Sequence, residues 1–292
     1  MNSLDPVLRS GARRRLRRPL AIVEAAIARR TVRLAPEPPG ERTGVIAPDG
    51  AAAPAASATV RDCGAPLRLV AVGDSLVAGC GIAAQDRALV PRIARILAAA
   101  TGRDVQWSIH ARLGATMRRV RYRFLPEVDG ADLLLVCAGS NDLMARRGPA
   151  EWTEDLSAVL DDAARRSRYV VACSAGQLYR SPALMPTLRS VLREWTDIQT
   201  DASVAVCAER GVPFVDVAHC DLPEGFWADD GFHPGAIGYE MAAAMLARPM
   251  LAQFTDDEDE SARAASTGRA GERPDALVMP AGAQSRVDER RS

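Results

Sequence analysis

The 292-residue sequence contains no lysine, so all 37 of its Lys-or-Arg positions are arginine. This absence removes chemistry that needs a primary amine: a Walker-type phosphate loop, a Schiff-base enzyme or a pyridoxal-phosphate enzyme. With the many alanines, it reads as a compositional bias of the genome rather than a functional device. Excess charge is lacking too, since 37 basic residues face 37 acidic ones, and no overall field points to nucleic acid or to membrane. No stretch comes near the roughly 18 apolar residues of a transmembrane helix. The six cysteines (Cys63, Cys80, Cys137, Cys173, Cys207, Cys220) include no C-x-x-C pair, which argues against a disulfide framework or a zinc site. Cys137 and Cys173 fall inside apolar runs and read as small hydrophobes. No metal or organic cofactor is called for.

What is present reads as a soluble globular protein, 48% hydrophobic and 25% charged. Residues 1–65 form a basic N-terminal segment followed by a Pro/Ala-rich linker. The segment "RSGARRRLRRPLAIVEAAIARRT" opens like a signal peptide. Glu24 interrupts its apolar part, Arg29 and Arg30 follow, and no small-x-small cleavage site precedes them. A basic amphipathic helix is the better reading, either touching anionic lipid weakly or standing as a solvated arm. Residues 36–65, rich in Pro, Ala and Gly, read as a flexible linker. Residues 251–292, with the run "DDEDE", read as a disordered tail. The expected folded unit is 66–250, and a cytoplasmic location is the expectation.

Inside that unit, apolar runs alternate with helical patterns. Strands are expected at 67–72, 104–109, 132–138, 169–174 and 213–217, with helices at 88–101, 116–125, 150–166, 184–210 and 236–247. Short apolar strands separated by helices imply a parallel sheet covered on both faces. The expected fold is a flavodoxin-like three-layer α/β/α sandwich with a five-stranded parallel sheet in the order 2-1-3-4-5. Ligands of such folds bind at the carboxyl ends of the strands.

At the first such end stands "VAVGDSLVAG" (71–80), where a strand runs into Gly-Asp-Ser-Leu. Ser75 is either a plain helix-start serine or a nucleophile, and a nucleophile needs a base. There are three histidines. His233, in "WADDGFHPGA", has Asp230 three residues before it on a Gly-containing turn. That carboxylate can accept from Nδ1–H and leave Nε2 free to take a proton. On spacing alone, such a histidine is more often a capping or surface group. His110 and His219 show no comparable local carboxylate; Asp221 follows His219 by two residues without an obvious turn. Donors for an oxyanion are available from Gly114 in "ARLGAT", Asn141 in "CAGSND", and the Ser75 N–H. Singly, Gly114 and Asn141 are ordinary turn chemistry.

In combination and in order, "GDSL", the glycine after the second strand, "GSND" after the third and "DDGFHP" before the last helix resemble the GDSL, or SGNH, hydrolase family. The four residues that name the family match Ser75, Gly114, Asn141 and His233. The resemblance covers 66–250 and neither tail. It implies a Ser75 nucleophile, His233 as base, Asp230 as its orienting carboxylate, and an oxyanion hole of Ser75 N–H, Gly114 N–H and the Asn141 amide. It implies a carboxylic ester hydrolase acting on a small-molecule acyl ester through an acyl-enzyme. One departure is the second block, "IHARLGAT", which keeps only the later glycine of N-x-G-x-S-G. The alternatives are an acyltransferase using the same triad on a sugar or lipid hydroxyl, and a non-catalytic binding module of the same fold. A dinucleotide site at "GCGIAA" is disfavoured because its glycines start well after the strand ends. The G-x-S-x-G elbow is absent around Ser75. Phe226, Trp227 and Phe232 beside the Asp–His loop either line an acyl pocket or pack the loop onto the core.

Overall fold

The structure, a computed structural model, describes the backbone of residues 6–62 and 64–269 and the side chains of 18–62 and 64–253. Seven strands form one sheet: β1 (Thr43–Ile46), β2 (Ala52–Ala53), β3 (Leu67–Gly73), β4 (Val105–Ala111), β5 (Ala131–Cys137), β6 (Ser167–Cys173) and β7 (Phe214–Val215). Their order is β2-β1-β4-β3-β5-β6-β7. The five strands β3 to β7 are parallel where they pair, and among themselves they follow the expected 2-1-3-4-5 order.

The sheet has seven strands rather than five, and the two extra ones arise from the stretch read as a linker. β1 runs antiparallel to β4, with Val45 opposite Gln106, and β2 pairs with β1 beyond it. Val45 and Ile46 are buried. The four-residue run "TGVI" supplies enough apolar surface to seat an edge strand. At the other edge, β7 is two residues long rather than the five expected.

Among the described residues, eight α-helices accompany the sheet: α1 (Pro6–Thr31), α2 (Ser75–Ala78), α3 (Leu89–Thr101), α4 (Met117–Arg119), α5 (Ser140–Met144), α6 (Pro149–Arg166), α7 (Pro186–Glu209) and α8 (Ala236–Arg269). Side chains of the inner strands alternate between faces. Val70 and Val72 of β3 and Leu134 and Val136 of β5 pack with Trp152 and Leu160 of α6 and Val206 of α7. Leu69, Ala71, Leu133 and Leu135 point to the opposite face and are also buried. Such two-sided burial explains why these strands read as unbroken apolar runs. On α3, the buried Leu89, Ile93 and Leu97 recur every four residues.

The basic N-terminal segment is a helix, and it is docked. α1 packs on α7, with Ala21 buried and Ala25 and Ala28 partly buried in the same cluster as Leu188 and Val191. Glu24, the residue that breaks its apolar run, is buried, and its Oε2 accepts from Leu188 N–H at 2.5 Å. That bond satisfies one of the orphan donors in the first turn of α7, whose own N-cap, Met185, offers no side-chain acceptor.

The chain divides into two units, residues 1–253 and 254–292. The first holds the sheet and the site. In the second, the described backbone is helical as far as Arg269, where a disordered tail was expected. Residues 270–292 lie outside the described residues, as does Cys63. Among the described residues, no helix is long and apolar enough to cross a membrane.

Candidate active site

β3 ends at Gly73, and Asp74 turns the chain into α2. Its Oδ1 accepts from Leu76 N–H at 3.1 Å, so the N-cap of this helix is Asp74, with Ser75 as its first residue. Burial pushes the Asp74 carboxyl up to about 7. Ser75 is itself buried. It opens onto a pocket of about 100 Å³ that is also lined by Gly114, Asn141 and His233. Four of the five residues singled out in the sequence therefore share one small cavity at the carboxyl edge of the sheet. The fifth, Asp230, stands behind His233.

The His233 loop is tightly specified. His233 Nδ1 lies 2.6 Å from Asp230 Oδ2. Asp230 Oδ1 accepts from the N–H groups of Phe232 and His233, both at 2.9 Å. Oδ2 also accepts from Ala35 N–H at 2.9 Å. Burial pushes this carboxyl up, but the bonds from Ala35, His233 and Phe232 outweigh it and hold the group below the usual carboxylate range. An ionised Asp230 fixes the proton on Nδ1. His233 Nε2 is then an acceptor, and it is buried with no hydrogen-bond partner among the described residues. The loop also closely approaches the turn that follows α2. A Cβ on Gly81 (φ +95°) would lie 2.5 Å from Pro234 O and 3.0 Å from His233 Cβ, so position 81 tolerates no side chain.

The two donor loops are tied to each other. Asn141 Nδ2 donates to Ala115 O at 2.9 Å, which uses one amide hydrogen and orients the other. Next to it, Asp142 Oδ2 accepts from Met117 N–H at 2.9 Å. Burial raises the Asp142 carboxyl to about 6 even with Arg147 beside it. Gly114 takes φ +81° with open space where a Cβ would stand, a left-handed turn that glycine adopts without strain. On the far side of this loop, Glu37 Oε1 accepts from Leu113 N–H at 2.7 Å, while its Oε2 pairs with Arg42. Arg42 also donates to Ala111 O at 2.7 Å.

Sequence reasoning missed Ala35, Glu37 and Asp142. Asp142 is the last residue of "GSND" and has a local signal, whereas Ala35 immediately precedes the presumed linker, Glu37 sits in it, and neither carries one. It also missed a second Asp-x-x-His. His219 Nδ1 lies 2.8 Å from Asp216 Oδ2, three residues earlier, so the expectation that His219 lacks a local carboxylate is corrected. Its Nε2 is taken by Asp197 Oδ1 at 2.9 Å, which leaves no free acceptor, and His219 does not line the pocket of Ser75. Burial lowers its pKa, but Asp197 and Asp216 outweigh that and raise it. His110 instead meets Glu127, 3.1 Å away. Cys80 is no alternative nucleophile, because burial pushes its thiol up to about 12.

Of the three aromatics near the loop, Phe226 is core, edge-on to Trp227 at 4.9 Å. Phe232 stands edge-on to the His233 ring at 5.2 Å and lines the pocket. Three of the arginines after Gly114 are occupied by neighbours: Arg121 pairs with Glu154 and Asp155, and Arg118 and Arg119 lie over Tyr122 and Phe124.

Chemically, the pocket combines a hydroxyl at a helix start, an imidazole whose free nitrogen is an acceptor, and amide donors from two braced loops. A family model described as the GDSL-like Lipase/Acylhydrolase family matches residues 71–241. The GDSL-like esterase Rv1075c of Mycobacterium tuberculosis is 27% identical over 207 residues, covering 66% of this chain and 64% of that protein's length. Among solved structures, a lipase/acylhydrolase from Enterococcus faecalis superposes with TM-score 0.50 at 22% identity, over 64% of this chain and 96% of its own. The lipase Lip_vut3 from a goat rumen metagenome gives TM-score 0.51 at 16% identity, over 62% and 95%.

Proposed function

The chain belongs to the GDSL-like lipase/acylhydrolase family, and from that premise we propose that it is a serine hydrolase of carboxylic esters, with its chemistry in residues 66–250. Ser75 Oγ attacks the ester carbonyl carbon while His233 Nε2 takes its proton. The oxyanion that forms is held by the N–H groups of Ser75 and Gly114 and by the Asn141 amide. Collapse expels the alcohol, which receives the proton from His233 and leaves an acyl group on Ser75. Water, deprotonated by the same nitrogen, then attacks the acyl-enzyme, and Ser75 is regenerated as the acid departs. Asp230 remains ionised throughout and orients the ring.

The observation that carries this reading is the state of His233. It is gripped at Nδ1 by Asp230 and, among the described residues, has no partner at Nε2, in the same pocket as Ser75. A buried acceptor without a partner costs roughly 1–3 kcal/mol, a cost understandable where the proton of the Ser75 hydroxyl is to be received. The test is hydrolysis of p-nitrophenyl acetate by wild type and Ser75→Ala. Turnover that falls by at least about 10³ in the variant supports the serine mechanism, and equal turnover overturns it. An acyltransferase would use the same acyl-enzyme, and adding alcohols to the assay separates it by the yield of transesterified product.

The N-terminal helix supports a second, weaker reading, a peripheral contact with anionic lipid. Leu20, Val23 and Ile27 of α1 are exposed, and Arg29 and Arg30 close its last turn. The cytoplasmic reading draws on the free thiols of Cys80, Cys137, Cys173, Cys207 and Cys220.

A further inference from the structure

A groove of about 650 Å³ lies beside the pocket of Ser75. Its walls include Ala21, Ala25 and Ala28 of α1 and Leu188, Val191 and Trp195 of α7. Polar members such as Arg18, Arg29 and Arg146 are exposed and belong to its rim. The groove and the pocket of Ser75 share four lining residues, Leu34, Met144, Leu178 and Phe232. Leu34 and Met144 are each 40% exposed, so apolar side chain faces the junction of the two spaces. Phe232 joins the two spaces directly, since its ring also flanks His233.

We infer that this groove holds the acyl chain of the substrate, and that α1, which lies outside the matched family region, is a wall of the acyl site. This inference rests on the ester-hydrolase reading of the adjoining pocket. The volume lies within the range of small-molecule sites, and a mostly apolar lining suits a long unbranched chain, its charge being at the rim and in Arg147, which is held by Asp142 and Asp155. About 100 Å³ around Ser75 suffices only for the ester group and its first carbons. Everything longer must pass Leu34, Met144, Leu178 and Phe232. The spacing of the alanines explains the free space. Residues 21, 25 and 28 share one helical face, and their methyl groups leave open the gap that larger residues would fill against α7. The substrate class is therefore a medium- to long-chain fatty acyl ester.

Two measurements on the full chain test this. The first is kcat/KM for p-nitrophenyl acetate, butyrate, octanoate and dodecanoate. The rate is expected to keep rising beyond octanoate, by up to about fourfold for each methylene buried. Ala28→Phe, which fills the groove, is expected to lower the dodecanoate-to-acetate ratio at least tenfold; Ala25→Leu serves if that variant does not fold. A wild-type profile that peaks at butyrate, or a ratio unmoved by a folded groove variant, overturns the inference. The second is calorimetric titration of Ser75→Ala protein with dodecanoate and butyrate, which needs no turnover. Saturable binding of dodecanoate alone, with a negative heat-capacity change, supports the groove even where no ester is cleaved. Acetate turnover together with absent dodecanoate binding keeps the catalytic reading and sinks the groove. Concentration-dependent dimerisation without dodecanoate binding would mean a second copy fills it, and also overturns the proposal.

Discussion

The backbone N–H of Ala35 donates to Asp230 Oδ2 at 2.9 Å, joining residues 195 positions apart. The same carboxylate oxygen lies 2.6 Å from His233 Nδ1. The segment following α1 is thus part of the shell that keeps Asp230 ionised and His233 in one tautomer. Two residues on, Glu37 grips the other side of the site through Leu113 N–H.

Asp230→Asn keeps the size of the side chain and removes its charge. The amide can no longer enforce a proton on Nδ1, and kcat is expected to fall by about 10³–10⁴. Circular dichroism and the melting temperature check that the fold survives. Activity within tenfold of wild type would remove Asp230 from the mechanism.

Glu37→Ala is expected to lower kcat about 10- to 100-fold with little change in KM, because a small misplacement of a donor loop is costly in the transition state. Glu37→Gln retains an acceptor for Leu113 N–H and should recover much of the loss. If both variants lose activity equally, the charge toward Arg42 matters and the Leu113 bond does not.

For Asn141→Ala the expected loss is about 10²–10³ in kcat, the usual cost of one oxyanion donor. Part of it will come through Ala115, whose carbonyl loses its partner. Parallel steady-state kinetics on Asn141→Asp, which presents no fixed amide donor, should show a comparable fall.

His219 gives a stability prediction with a defined sign. Its pKa is raised in the fold by Asp197 and Asp216. A raised value means the charged pair stabilises the protein fully below the unfolded pKa of about 6.5 and fades as pH rises through the folded value. Urea melts of wild type and His219→Gln should therefore differ most at mildly acid pH and converge toward alkaline pH. Ester turnover should stay within a few-fold in this variant, since His219 does not line the pocket of Ser75.

The five parallel strands and their order were legible because each is an apolar run between helical repeats, and burial on both faces leaves that signature. β1 was not, since four residues within a Pro/Ala/Gly-rich stretch average out to a linker. Ser75 and the Asp230–His233 pair were legible because their signals are local. Ala35 and Glu37 were not, for their partners lie 195 and 76 residues away and a backbone N–H has no side-chain identity to read. Asp216–His219 shows the limit of spacing: it repeats the interval of Asp230–His233. The two differ in burial and in what occupies Nε2.

The hairpin of β1 and β2 has a consequence for how copies of this protein behave in a crowded solution. Without it, the seven-residue β4 would form the sheet's margin and present an unpaired backbone ladder to other chains. With it, the margin is the two-residue β2, and the opposite margin is the equally short β7. On the β1 side, the short outer strand leaves little template on which another molecule's strand can grow, and so protects that edge of the sheet against aggregation.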